Sequence, residues 1–151
     1  MSHYVDVKTS ITDEECLVAA LCRIENYHEC HHKTWNKTHI EVHNKAVNLY
    51  GYHGDVRVDK ANIIIRRQFI SRASNDIGFR KEADGSYSAI ISEFDGRSMG
   101  FSPAWLQRLT TYYGVEKAKK EFKARGIKYT ETTDDKGRVQ LKAQVKGGMY
   151  G

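Results

Sequence analysis

Asn75-Asp76-Ile77-Gly78-Phe79-Arg80-Lys81-Glu82-Ala83-Asp84-Gly85-Ser86-Tyr87-Ser88-Ala89-Ile90-Ile91 is the stretch whose reading decides the fold. Ile77, Phe79 and Lys81 alternate along one arm, and Tyr87, Ala89 and Ile91 answer them along the other. Between the arms lies Ala83-Asp84-Gly85-Ser86, and an Asp-Gly turn between two alternating runs predicts a β-hairpin. Strands joined this tightly run antiparallel, so at least part of the sheet is antiparallel.

Outward from this hairpin, Ala61 to Ile65 is a fuller apolar run that predicts a central strand, with Val56 and Val58 alternating just ahead of it. Before that lies Tyr50-Gly51-Tyr52-His53-Gly54, aromatic residues interleaved with glycine, and His39 to His43 reads as a short alternating strand. Tyr4 to Ile11 predicts a strand. Thr12-Asp13-Glu14-Glu15 then forms a capping box with Thr12 as N-cap, and Leu17, Val18, Leu21, Cys22 and Ile24 carry a helix from about Asp13 to about Tyr27. Downstream, Ser102 is an N-cap ahead of the only proline, Pro103. Trp105, Leu109, Tyr112, Val115, Ala118 and Phe122 follow at helical spacing, and the helix ends near Arg125-Gly126. Gly114 in its middle predicts a bend or a close packing contact. Tyr129 to Thr133 and Arg138 to Val145 flank Asp134-Asp135-Lys136-Gly137 and predict a second hairpin.

The expected fold is α+β, a mixed or mainly antiparallel sheet with two helices packed on one face. Residues 1–146 form one domain, with a His-rich insertion or loop at 28–48, and 147–151 a flexible tail. The chain has 151 residues, a net charge of +5 and 40% hydrophobic residues, so disorder is excluded. Its longest apolar run, Cys16 to Cys22, is far short of the roughly 18 residues a membrane span needs. Neither a membrane nor a secretion signal is expected, and three cysteines without a disulfide pattern point to a reducing, cytoplasmic compartment.

Several of these motifs recur together elsewhere. Met1-Ser2-His3-Tyr4 with Lys8 to Asp13, the Tyr50 to Gly54 box, Asn75 to Phe79, Asp84-Gly85-Ser86-Tyr87, Leu106 to Tyr113 and Asp135 to Leu141 resemble, in this order, the Ycf35-like family, also called DUF1257. The resemblance implies an uncharacterised protein with no catalytic residues or cofactor to carry over. For a phage-encoded member it implies the host cytoplasm, and for a plastid-encoded one the stroma. The chain departs from the family at Tyr27 to Val47, which separate the first helix from the Tyr-Gly-Tyr box, and at Tyr112 and Glu116, where the family has Arg and His.

Three constellations bear on function. His28, Cys30, His31 and His32 are ligand types that suit zinc, but they lack a Cys-x-x-Cys pair and read equally as an exposed polar loop, so no cofactor is predicted. Between Arg108 and Lys128 lie seven basic residues and two acidic ones, an excess equal to the net charge of the whole chain. Arg108, Lys117, Lys120, Lys123 and Arg125 would present a basic helix face to phosphate or to an acidic partner. The same residues read as a solvated face held by the pairs Glu116–Lys120 and Glu121–Arg125. Tyr50, Tyr52, His53 and Arg57 would stack bases if the box were a strand, or cover a core edge. No nucleophile elbow, metalloprotease or phosphate-loop motif is present. The reading is a non-enzymatic accessory protein that binds a partner through the basic helix face. The alternative is a nucleic-acid-binding protein using residues 108–128 and the Tyr50 to Gly54 box.

Overall fold

The computed structural model describes residues 3–144. Val145 and the expected tail at 147–151 lie outside them. The strands are β1 (Tyr4–Lys8), β2 (Ile40–Tyr50), β3 (Val56–Ile65), β4 (Ile77–Lys81) and β5 (Tyr87–Ser92), which form an antiparallel sheet in the order β1-β5-β4-β3-β2. The helices are α1 (Glu14–Leu21), α2 (Glu93–Ser98) and α3 (Pro103–Ala124), and β6 (Tyr129–Thr133) with β7 (Val139–Ala143) makes a separate two-stranded sheet. The fold is α+β.

Both predicted hairpins form, with Phe79 opposite Ala89 in the first and Glu131 opposite Leu141 in the second. On one face of the large sheet, Ile63, Ile65, Phe79, Ala89 and Ile91 pack against Leu17 and Leu21 of α1 and Trp105, Leu109 and Tyr113 of α3. These two helices therefore share a face, as expected. By the pleat, Ile64 and Ile90 point to the rear face, where they cluster with Leu49 and Ala61.

The rear face is closed by the sheet itself. Pairing between β2 and β3 slips between Val42 and Val47, a bulge that lets the far half of both strands fold back. Asn62 sits at the bend and satisfies the backbone groups it frees: its Nδ2 donates to the His43 and Asn44 carbonyls, and its Oδ1 accepts from the Lys81 N–H at 2.9 Å. A Cβ on Gly78 would lie 2.4 Å from the Ala61 Cβ and 3.0 Å from Leu49, so the folded-back ribbon lies directly on β4.

Three local expectations are corrected. Helix α1 stops at Leu21 rather than near Tyr27, because the chain leaves the helix in a turn that still buries Ile24. Its N-cap is Asp13, whose Oδ1 accepts from the Cys16 N–H at 3.0 Å, while the Thr12 N–H is taken by the Tyr113 hydroxyl. Within the His-rich stretch, a 3₁₀ turn at Lys37–His39 leads into β2, whose start is the short strand expected at His39 to His43 and which runs on through a polar bulge to Tyr50. A Cβ on Gly114 would meet nothing, so of the bend or close contact expected there the close contact is absent. The short helix α2, capped by Ser92 accepting from the Asp95 N–H, was not predicted, since six residues carry no helical period.

Candidate functional site

The Tyr50 to Gly54 box is the tip of the β2–β3 ribbon, a tight turn rather than a strand. The Gly51 N–H donates to the Asp55 carbonyl and the Gly54 N–H to the Gly51 carbonyl, each at 2.8 Å. Gly51 leaves room for the Asp55 carboxylate, which a Cβ there would meet at 2.5 Å. The turn is held from outside by Asn75 and Asp76. The Tyr52 N–H donates to Asn75 Oδ1 at 3.0 Å, and the Tyr50 N–H donates to Asp76 Oδ2 at 2.8 Å.

Asp76 is fully buried and is paired with Arg66, whose Nη1 donates to Asp76 Oδ2 at 2.8 Å. The same guanidinium reaches Glu41 through Nε and Nη2 at 2.9 and 3.0 Å and lies 5.0 Å from the centre of the Tyr50 ring. This uses the planar fork of arginine in full. The Arg66 hydrogen bonds hold the Glu41 carboxyl below its ordinary range, with a further bond from His43 at 2.7 Å. His43 and Glu41 form an imidazole–carboxylate pair, but among the described residues no hydroxyl or thiol is set against His43 as a nucleophile would be.

Tyr50 and Tyr52 are 40% and 39% exposed, and the His53 ring lies against Tyr52 with centroids 3.9 Å apart. Arg57 is half-buried against the Tyr4 ring. Sequence reasoning missed two residues beside them. Val56 is 64% exposed and faces Tyr50 across the ladder, and Val58, on the same side, is 90% exposed. In the sequence their alternation is a strand signal and nothing more.

The basic segment lies on the other face of the sheet, so the structure does not bring it together with the Tyr50 to Gly54 box. Most of its charge is already paired. Lys117 and Lys120 reach Asp13 Oδ2 at 3.2 and 2.8 Å, across from α1. Burial alone would raise the Asp13 carboxyl, but hydrogen bonds from Lys120, the Cys16 N–H and Lys117 hold it far below its ordinary range. Arg23, Lys119, Glu116 and Glu131 form a partly buried four-charge network in which Lys119 meets both carboxylates. Hydrogen bonds from Arg23 and Lys119 lower the Glu131 carboxyl to about 2. The expected Glu121–Arg125 pair forms at 2.9 Å, whereas Glu116 pairs with Arg23 and Lys119 rather than with Lys120. Arg108, Lys123 and Lys128 make no ion pair among the described residues.

The residues proposed for zinc point different ways. Cys30 is buried, and burial, reinforced by Asp95, pushes its thiol up to about 11. His28 lies against Tyr27, His32 against His39 and Phe69, and His31 faces the Gln68 carbonyl. Among the described residues no group of three or more His, Cys, Asp or Glu side chains is placed to hold a metal ion, and no helix is long and apolar enough to cross a membrane.

The sequence model of a family described as proteins of unknown function (DUF1257) matches residues 35–141. The chain belongs to the DUF1257 family. The matched span takes in the Tyr50 to Gly54 box, its Asn75-Asp76 anchor and all of α3, and leaves α1 outside. In this DUF1257 member two of the motifs that carry the resemblance are thus halves of one buried contact. No curated protein and no solved structure matches the chain.

Proposed function

We propose that this protein is a non-enzymatic accessory protein that docks a protein partner through the folded-back β2–β3 ribbon. The observation that carries this reading is the exposed apolar row of Tyr50, Val56 and Val58 on a ribbon fixed from below by the Arg66–Asp76 pair. Neighbouring exposed apolar side chains on a rigid support mark an interaction surface. The basic face of α3 has less support as the docking surface, because Lys117, Lys119, Lys120 and Arg125 are engaged by carboxylates. The same pairing weakens the nucleic-acid alternative, which keeps Arg108, Lys123 and Lys128 as phosphate contacts.

The test is affinity capture from cells of the native source with three baits: wild type, Val58→Glu and Lys123→Glu. A partner retained by wild type and Lys123→Glu but lost by Val58→Glu supports the reading. A partner lost only by Lys123→Glu, or oligonucleotide binding that weakens steeply with salt, overturns it in favour of the α3 surface.

A further inference from the structure

Strand β1 stands at the edge of the large sheet opposite to β2. It pairs with β5 on one side and, among the described residues, with no strand on the other. Its ladder fixes which backbone groups face out. The Thr9 N–H donates to the Tyr87 carbonyl at 3.1 Å, and the His3 carbonyl accepts from the Glu93 N–H at 2.8 Å. His3, Val5, Val7 and Thr9 therefore turn their backbone groups toward β5, and Tyr4, Asp6 and Lys8 turn theirs outward. An edge of this kind is a template for another strand.

The side chains along this edge decide which strand fits. Val5 and Val7 lie opposite Ile91 and Ala89, on the helical face of the sheet. They are 42% and 41% exposed and form one wall of an apolar groove of about 710 Å³, closed on the other side by Phe101, Pro103 and Leu106. Asp6, opposite Ile90, lies on the rear face together with Lys8. Both are exposed, Asp6 beside Arg80 at 2.6 Å and Lys8 beside Asp84 at 3.0 Å. A strand laid antiparallel on β1 is favoured when it sets a cation opposite Asp6, an anion opposite Lys8 and an apolar residue between them. Asp6-Val7-Lys8 read in reverse is that strand, so β1 is complementary to itself.

We propose that two copies of this chain form a symmetric dimer through β1, with Val7 facing Val7 across the two-fold axis and Asp6 facing the second copy's Lys8 on either side. The outward N–H and carbonyl groups of Asp6 and of the second copy's Lys8 exchange hydrogen bonds in this register, and the two sheets become continuous. On the helical face, Val5 and Val7 of both copies form one apolar row between the two grooves. On the rear face, Arg80, Asp6, the second copy's Lys8 and the second copy's Asp84 alternate in sign. A register centred on Asp6 sets that carboxylate against its own copy and is disfavoured.

The experiment is sedimentation equilibrium of the full chain across a concentration series. The wild type is expected to dimerise. Asp6→Lys and Lys8→Asp are each expected to weaken the dimer about tenfold or more, because each sets two like-charged pairs about the axis. Mixed in equal amounts, the two variants are expected to recover the dimer as a heterodimer, since each supplies the charge that the other lacks. Asp135→Lys and Lys123→Asp, the same reversals at exposed positions elsewhere, are expected to leave it unchanged. The proposal is overturned by a wild type that stays monomeric up to about 1 mM, by either β1 variant dimerising as the wild type does, by a mixture no stronger than the single variants, or by the two reversals elsewhere acting like those in β1. Thermal melts establish that each variant is folded.

Discussion

Tyr50 and Asp76 are joined twice: the Tyr50 N–H donates to Asp76 Oδ2 at 2.8 Å, and the Asp76 N–H donates to the Tyr50 carbonyl at 2.9 Å. Asp76 Oδ1 also accepts from the Arg67 N–H at 2.7 Å, and its carbonyl accepts from the Tyr4 hydroxyl at 2.7 Å. One buried residue therefore ties β1, the end of β2 and the chain after β3 to the start of β4. Asp76→Ala leaves Arg66 without its buried counter-charge, and unfolding in urea is expected to show a loss of about 3–5 kcal/mol. A loss under 1 kcal/mol would show the contact to be dispensable.

Two glycine-to-alanine changes are expected to act in opposite directions. Gly78→Ala forces a methyl into the Ala61 and Leu49 side chains and is expected to destabilise by about 1–3 kcal/mol. Gly114→Ala adds a methyl in open space on the helix and is expected to stabilise by about 1 kcal/mol. Thermal melts of the two variants side by side read out the sign.

The acid limb of stability is expected to depend on Glu131. Its carboxyl is lowered from 4.5 to about 2 by Arg23 and Lys119, so the folded state favours the charged form. That contribution is complete above pH 4.5 and is lost as the pH falls toward 2. Asp13, held low by Lys120 and Lys117, acts in the same sense. Glu131→Gln should flatten the wild-type slope of stability in this window while leaving the rest of the profile in place. An unchanged slope would refute the assignment.

The three cysteines are expected to resist a thiol reagent in the native protein. Cys16 and Cys30 are buried, Cys22 is half-buried, and burial raises all three thiols, so little of the reactive thiolate forms at neutral pH. Reaction with a chromogenic disulfide should be slow until denaturant is added. A thiol that reacts at the rate of free cysteine would contradict this placement.

What the sequence disclosed was local. The two hairpins rest on turn residues and alternation within a few positions, and α3 on Ser102, Pro103 and a sustained helical period, so all three were legible. What it hid was set by distant partners. Lys120 finds Asp13, more than a hundred positions away, in place of the nearby Glu116, because α1 packs against α3. The conformation of Tyr50-Gly51-Tyr52 stays open in the sequence because nothing nearby reveals that Asn75 and Asp76 hold it as a turn. The exposed row of Val56 and Val58 is visible as alternation, but only the fold-back of the ribbon tells which side is bare.

The bulge in β2 has a further consequence for how copies of this protein meet. At 11 residues, β2 is the longest strand and stands at the open edge of the sheet. A straight edge of that length offers its unpaired amides and carbonyls as a template on which another molecule can lay a strand, the first step toward aggregates. The break between Val42 and Val47 interrupts that template and sets the exposed Lys45 within it. A second chain arriving at this edge meets two short, misaligned runs separated by a charge, so the bend that closes the rear face also guards the protein's solubility.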